Sequence, residues 1–268
     1  MQMELKKLWR KQNNLFNMKN FLSILFLFSL LLFSCSSNDS SNNESEILIK
    51  KIVSVSNGNS YETTFSYNGD QLNEIVIGSN RLKYTYLNNN ITNIKRYSSG
   101  LFQSEIFLEY DSQQRVSSEL YIDYLTSTSE KTFYTYNSDN TVSLQKYFGD
   151  TISSQPNIGN SGIIYNDSNG ETYKIENFNQ GNLANKTVWA FDNKNNPLKN
   201  IIGYNKQPTI LGKFFNNIST ENFDSTNAII SNSTFNYTYN SNNFPESCVQ
   251  DYYDNGVLQN STAISYFY

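Results

Sequence analysis

What the chain lacks excludes several classes of protein. It contains no histidine, two cysteines and four prolines among its 268 residues. Without histidine, it has neither the usual general base nor the usual metal ligand, and no Ser-His or Cys-His catalytic pair. Its 20 Lys and Arg residues are outnumbered by 24 Asp and Glu residues, and they form no basic cluster of the kind that nucleic-acid binding requires. We therefore expect no catalytic residue, metal, cofactor or nucleic-acid partner.

Long apolar segments are also scarce, and the one that occurs lies near the N-terminus. Residues 21–33 read FLSILFLFSLLLF, which is too short to span a bilayer but suits a secretory signal. The sequence that ends this run, LFSC, resembles the lipobox of bacterial lipoproteins, in which the cysteine is acylated and becomes the mature N-terminus. We predict a signal peptide over residues 18–34, lipidation of Cys35, and a mis-assigned gene start over residues 1–17.

The segment after Cys35 predicts a tether. Residues 36–46 read SSNDSSNNESE, a polar stretch that cannot contribute to a core. We assign residues 35–45 to this tether and residues 46–268 to one domain. The mature chain of 234 residues has 15 basic and 23 acidic residues, a net charge of −8. Cys248 is then left without a cysteine partner, and we interpret it as a small, partly buried strand residue.

One short pattern recurs along the domain. Each copy begins with an apolar or aromatic residue, continues with a residue that is mostly polar, and ends with an aromatic residue, which we call the anchor. In six of the seven copies, Asn or Asp directly follows the anchor. The anchors of this pattern are Tyr67, Tyr86, Tyr110, Tyr136, Tyr165, Phe191 and Tyr239. The period of two predicts a strand with one aromatic face, and the Asn or Asp predicts a turn into a second strand. Each copy is therefore a hairpin, and we expect all seven anchors on one face.

Hairpins in series predict an all-β fold. The length accommodates about 12 to 16 strands in an antiparallel meander, and so many strands with one apolar face must curl or close. We expect a strongly curved sheet or a barrel with aromatic residues inside. Residues 198–224 interrupt the rhythm, and there we expect either a short helix from Thr209 or a long loop closing one end of the sheet.

The repeated pattern resembles the YD repeat of Rhs-type proteins, with VWAFDNKNNPLKNI and FLEYDSQQRVSS as its nearest copies. It is also similar to the β-rich domains of Gram-negative lipoproteins of unknown function, some of them described as porin-like in fold. The resemblance covers most of residues 60–255. It implies a β-sheet and an outer-membrane address, on either the periplasmic face or the cell surface, rather than an activity.

Few residues are candidates for chemistry. The segment NDSNGE, residues 166–171, has acidic and amide groups at offsets similar to those of a calcium loop, but Asn-Gly is also a common hairpin turn. Carboxylates lie beside tyrosines in EYDSQQ and DYYDNG, as in a glycosidase, although every repeat produces such neighbours.

Three functions follow from these observations. The first is a lipid-anchored, non-enzymatic binding or scaffold domain whose ligand is a glycan or a surface protein. The second is a hydrolase with an Asp/Glu pair in the concavity of the sheet. The third is an integral outer-membrane β-barrel.

Overall fold

The computed structural model describes residues 47–150, 154–209 and 212–268, and residues 46–268 form one compact unit. The predicted signal helix, Cys35 and the tether lie outside the described residues. Among the described residues, no helix has the length and apolarity that a membrane span requires.

The described residues form 16 strands and one short 3-10 helix, Tyr204–Lys206. The strands are β1 Lys51–Ser56, β2 Asn59–Asn68, β3 Gln71–Ile77, β4 Asn80–Leu87, β5 Asn90–Ser98, β6 Leu101–Tyr110, β7 Val116–Asp123, β8 Thr128–Tyr136, β9 Thr141–Gly149, β10 Asn157–Asn166, β11 Thr172–Asn179, β12 Asn182–Asn195, β13 Phe215–Phe223, β14 Ile229–Tyr239, β15 Pro245–Asp254 and β16 Val257–Phe267.

Each strand pairs antiparallel with the next one along the chain, and the sheet closes into a barrel. The closing contact joins the first and last strands, with Lys51 opposite Phe267 and Ser56 opposite Thr262. Closure leaves no strand of the barrel with an unpaired edge. The predicted antiparallel all-β meander is therefore confirmed, and the curved sheet is a closed barrel.

The turns at one end of the barrel explain the Asn or Asp in the repeated pattern. The Asp111 carboxylate accepts hydrogen bonds from the backbone N–H groups of Gln113 and Arg115, both at 2.9 Å. The Asn240 side chain accepts in the same way from Asn242 and Phe244, both at 3.0 Å. These bonds satisfy backbone donors that the sheet cannot reach, so Asn and Asp are favoured here for turn geometry.

Most turns at the opposite end have only two residues. In Asn57-Gly58 and Asn255-Gly256 both residues have positive φ, at 49° and 77° in the first turn and 48° and 77° in the second. Two successive residues of positive φ form the two-residue turn whose twist matches that of a hairpin, and Asn-Gly adopts it at little cost. We call this end of the barrel the rim end.

Two apolar clusters fill the barrel interior towards the other end. One is centred on Ile91, Val116 and Ile164, and the other on Ile49 and Leu72. Aromatic anchors pack against both clusters, among them Tyr67, Tyr86, Tyr110 and Tyr136. Most of these anchors come directly after a β-bulge in their strand pairing. The bulge places the anchor opposite a fully buried residue, as Tyr86 lies opposite Ile91.

Tyr165 departs from the predicted single face. It pairs with Lys174, whereas its neighbour Ile164 is fully buried in the core cluster. Because side chains alternate along a strand, Tyr165 lies on the outer face. The turn that follows is built on Asp167, whose carboxylate accepts from Asn169 and Glu171, so the anchor position belongs to Asn166 and not to Tyr165.

The interruption near residue 198 forms a loop across one barrel end. Residues 196–209 and 212–214, which we call the capping loop, lie between β12 and β13. Asn200 Nδ2 donates to the Ile47 carbonyl at 3.0 Å, Lys206 Nζ to Asn90 Oδ1 at 2.6 Å, and Thr172 Oγ1 to the Pro208 carbonyl at 3.4 Å. The loop thus joins hairpins from around the barrel, and we call this end the capped end. The described part of the loop has its single helical turn before Pro208 and none at Thr209.

The outer face of the barrel carries charges halfway along its strands. Lys83 of β4 lies opposite Lys95 of β5, and the neighbouring pair in the same ladder is Tyr84 and Ile94. Because Tyr84 and Ile94 point inward, the two lysines point outward. Cross-strand ion pairs on this face join Lys51 to Glu62 at 3.4 Å, Lys95 to Glu105 at 4.0 Å and Lys131 to Glu109 at 3.5 Å, and Lys174 pairs with Glu176 of its own strand at 2.9 Å. The outer face is therefore mixed in polarity and not a continuous apolar band.

Candidate polar cleft at the capped end

A polar cleft lies at the capped end between two neighbouring hairpin turns. It has a volume of about 310 Å³ and runs between the β8–β9 and β10–β11 turns, with Arg115 and Tyr136 in its wall. A second pocket of about 220 Å³ shares Arg115, Tyr136 and Gly170 with it and extends to Lys206 and Lys213 of the capping loop. We call the two together the Arg115 cleft.

Arg115 is held in place by an ion pair with Asp111 and by a cation–π contact with the Tyr136 ring. Its Nε and Nη2 lie 2.8 Å and 2.7 Å from Asp111 Oδ2. The guanidinium carbon lies 4.0 Å from the centre of the Tyr136 ring, a cation–π contact. Tyr136 is fixed in turn because its hydroxyl donates to the Val116 carbonyl at 3.0 Å. The cleft wall therefore presents a guanidinium group whose orientation is set before any ligand arrives.

Burial acts on the tyrosine beneath this guanidinium. Burial raises the pKa of Tyr136 to about 12, while the positive charge of Arg115 opposes the shift. The Tyr136 phenol is thus neutral at ordinary pH and acts as a hydrogen-bond donor.

Amide side chains line the other wall. Asn137, Asn140, Asn166 and Asn169 all border the cleft, and Asn166 Nδ2 donates to the Asn140 carbonyl at 3.2 Å, which bridges the two turns. Amides offer both donors and acceptors, as hydroxyl-rich ligands require. Few of these residues attract notice in the sequence, because Asn is frequent in every turn of this chain.

The deeper pocket ends on a buried lysine. Lys213 is buried, its Nζ lies 3.3 Å from the Gly170 carbonyl, and desolvation lowers its pKa while Glu171 and Asp167 oppose the shift. Glu171 is fully buried and accepts from the backbone N–H groups of Lys213, Phe214 and Phe215 at 2.8, 3.0 and 3.3 Å. This carboxylate therefore fixes the end of the capping loop to the β10–β11 turn.

These hydrogen bonds also account for the calcium-like segment NDSNGE. Asp167 accepts from the backbone of its own turn, and Glu171 points to the capping loop. The carboxylates that a calcium loop would direct at an ion are thus engaged with backbone donors, and the segment is a hairpin turn. Within the described ranges, no group of three or more His, Cys, Asp and Glu residues is placed to hold a metal ion.

The carboxylates beside tyrosines in the sequence do not converge on the Arg115 cleft. Asp111 neutralises Arg115, and Asp251 accepts from the Ser261 hydroxyl on the outer face. The strand register instead places Glu119 and Glu130 on the inner face, where Lys146 Nζ lies 2.8 Å from Glu130. Burial and the neighbouring charge of Glu130 raise the pKa of Glu119. This inner pair could not be predicted from the sequence, because the bulge at the start of β7 shifts the alternation of side chains by one residue.

Three further anchors and Cys248 have partners within the barrel. The Tyr67 and Tyr110 hydroxyls donate to the carbonyls of Ile49 and Ile91, both at 2.7 Å, and the Tyr239 hydroxyl donates to Asp192, the residue after Phe191. Cys248 is buried on β15 opposite Tyr237, and burial raises the pKa of its thiol to about 11. Such a thiol is inert at ordinary pH.

Comparisons with known proteins reveal likeness in structure alone. No protein-family model matches the chain, and no curated protein matches it either. Among solved structures, a porin-like protein from Bacteroides uniformis has 10% sequence identity and a TM-score of 0.44, and the match covers 82% of this chain and 97% of that one. A porin-like protein from Bacteroides vulgatus has 11% identity and a TM-score of 0.42, with 83% and 99% covered.

Proposed function

We infer that this chain is a lipid-anchored envelope protein of the outer membrane whose barrel stands in water and binds rather than catalyses. The observation that carries the inference is the charge on the outer face. Lys83, Lys95 and Lys131 lie in the middle of their strands, where a membrane barrel exposes its apolar band. A lysine on the lipid face at the bilayer midplane costs about 2–4 kcal/mol, so three such residues, on β4, β5 and β8, favour a barrel surrounded by water over an integral one.

The filled interior supports the same reading. Apolar clusters occupy the barrel towards the capped end, and the capping loop crosses that end. A water-filled channel requires a polar lumen that is open at both ends. The barrel is accordingly a rigid support for its turns and not a pore.

Membrane extraction tests the anchor. In cells that produce the wild-type chain, the protein should stay with membranes during a carbonate wash, and mass spectrometry should find an acylated N-terminal Cys35. The Cys35→Ala variant should be released by the wash. Retention of that variant would favour the integral barrel and contradict this proposal.

The Arg115 cleft supports a glycan as the ligand. It combines a guanidinium group, an aromatic ring and several amides, groups that bind sugar hydroxyls and ring faces. The amides outnumber the charges, so the cleft suits a polar ligand without strong charge.

A glycan array tests the ligand class. Wild-type protein should bind at least one glycan, and Arg115→Ala should weaken that binding by about tenfold, since a charge-assisted hydrogen bond contributes about 1.5–3 kcal/mol. The control is Arg81→Ala, which removes an exposed arginine of β4 and should leave binding unchanged. Equal losses in both variants, or turnover of a substrate that Glu119→Gln abolishes, would contradict a binding role for the cleft.

A further inference from the structure

Exposed apolar side chains are concentrated at the rim end. Of the twenty large exposed hydrophobic residues in the described part of the chain, fourteen lie within three positions of a rim turn. Leu101, Leu125 and Ile158 are 69%, 70% and 76% exposed. The complete set is Val55, Tyr61, Ile77, Leu101, Phe102, Tyr124, Leu125, Phe148, Ile158, Ile229, Ile230, Tyr252, Val257 and Leu258. At the capped end, Leu87 is the most exposed of three such residues, at 64%, and Tyr173 and Phe267 are 40% and 46% exposed.

These residues are distributed around the barrel. They come from seven of the eight rim hairpins, the exception being the β11–β12 turn. Since the hairpins of a closed barrel follow one another around its edge, their tips form a ring and not a one-sided patch. Exposed apolar surface of this extent marks an interaction site.

We propose that this apolar ring docks on the surface of a lipid bilayer composed mainly of uncharged headgroups. A ring of tips matches a flat surface, whereas a protein partner would need a ring-shaped complement. The rim turns themselves carry no Lys or Arg. Within three positions of them, the two basic residues Arg81 and Arg96 are outnumbered by six acidic ones, Asp123, Glu130, Asp150, Glu221, Asp224 and Asp254. Anionic lipids attract clustered basic residues, so this composition favours neutral headgroups. Tyrosine and aliphatic side chains are suited to the interfacial region.

The tether is long enough for this orientation, which rests on the proposed anchor at Cys35. β1 begins at the capped end, so an anchor at Cys35 requires a tether at least as long as the barrel wall is high. Strands of about nine residues, tilted by about 40°, give a wall about 23 Å high. Residues 36–46 can extend over at most about 40 Å. The Arg115 cleft would then face away from the membrane, towards soluble ligands.

Tryptophan reporters test which end meets the lipid. The protein is purified from envelopes in detergent and reconstituted on phosphatidylcholine vesicles with either brominated or ordinary acyl chains. The Leu125→Trp and Leu258→Trp variants place the reporter on separate rim turns, and Leu87→Trp is the matched control at the capped end. We expect the two rim variants to lose most of their added fluorescence on brominated vesicles. The control should match the wild type, whose Trp189 is buried.

Separate measurements distinguish failure of the docking proposal from failure of the proposed lipid anchor. Acylation of Cys35 is read by mass spectrometry, association by flotation, and folding by circular dichroism. Acylated protein that floats without quenching of the rim reporters would overturn the docking while leaving the anchor intact. Quenching of the Leu87→Trp reporter would overturn it as well, because the capped end or the wall would then meet the lipid. Unacylated protein with quenched rim reporters would support the docking and overturn the anchor.

Discussion

At each hairpin of the capped end, three positions have different structural roles. The aromatic anchor fills the interior and donates its hydroxyl to a carbonyl near the start of the neighbouring strand, as Tyr110 does to Ile91. The Asn or Asp after it accepts from the turn backbone, as Asp111 does. A fully buried residue lies opposite the anchor, as Val116 lies opposite Tyr110. The repeated pattern therefore encodes a packed and hydrogen-bonded hairpin end, whatever the protein binds.

The difference between inner and outer tyrosines gives a prediction at this scale. Tyr136→Ser removes an inward ring and its bond to Val116, and we expect the free energy of unfolding to fall by about 3 kcal/mol or more. Tyr165→Ser removes a ring from the outer face, where Lys174 Nζ lies 3.6 Å from the ring centre, and we expect a loss below about 1.5 kcal/mol. Urea denaturation of both variants measures the difference. Equal losses would mean that the two rings share one environment.

The sequence predicts these strands well because its signals are local. Period-two alternation and Asn or Asp turns act over a few residues, and they were sufficient for the all-β meander. The face of Tyr165 was not predictable, because Asn166 and Asp167 are both turn formers and the choice between them decides which side chain points inward. The Arg115 cleft was missed for a different reason. Its walls combine Arg115, Tyr136 and Asn166 from successive hairpins, and only the strand register brings them together.

The capping loop is the element that departs most from the repeat. Its polar groups are satisfied by other hairpins, through Asn200, Lys206 and the backbone that follows Gly212. Gly203 has a φ of 75°, and a Cβ there would lie 2.9 Å from the Asn89 carbonyl oxygen, so glycine permits the close approach of the loop to the β4–β5 turn. The loop is thus anchored to the barrel at several separate points.

Glu171 gives the prediction for this element. Glu171→Ala would leave the backbone N–H groups at residues 213–215 buried without their acceptor, and we expect a loss of about 2–3 kcal/mol in unfolding free energy. Limited trypsin digestion should cut faster at Lys206 or Lys213. Glu62→Ala is the control, because it removes an exposed carboxylate that pairs with Lys51. Unchanged digestion of the Glu171 variant would show that the loop is held by its other contacts.

The whole barrel contains many buried phenols, which makes it sensitive to alkali. Burial raises the pKa values of Tyr86, Tyr110 and Tyr136 to about 12 each, above the ordinary value of 10.0. A pKa raised in the folded state contributes stability that is fully present below the unfolded pKa and is lost as pH rises through the folded pKa. We therefore expect stability to fall between about pH 10 and pH 12.

The measurement is the urea midpoint as a function of pH, together with the absorbance of ionised tyrosine. The inner tyrosines should ionise together with the loss of the near-ultraviolet circular dichroism signal. Ionisation of every tyrosine near pH 10 with the fold intact would contradict the assigned burial.

The seam between β1 and β16 has a consequence for how the molecule folds. Every other pairing joins strands that follow each other in the chain, so each can form as soon as its own hairpin exists, whereas Lys51 and Phe267 are separated by 216 positions. Bringing together residues so far apart in the chain has a high entropic cost. The pairing of β1 with β16 offsets this cost only when the fourteen strands between them are in place. The seam is therefore expected to form last, and until it does β1 and β16 expose the backbone that can template aggregation. A barrel that closes in this way is therefore most prone to self-association in the interval before its last strand arrives.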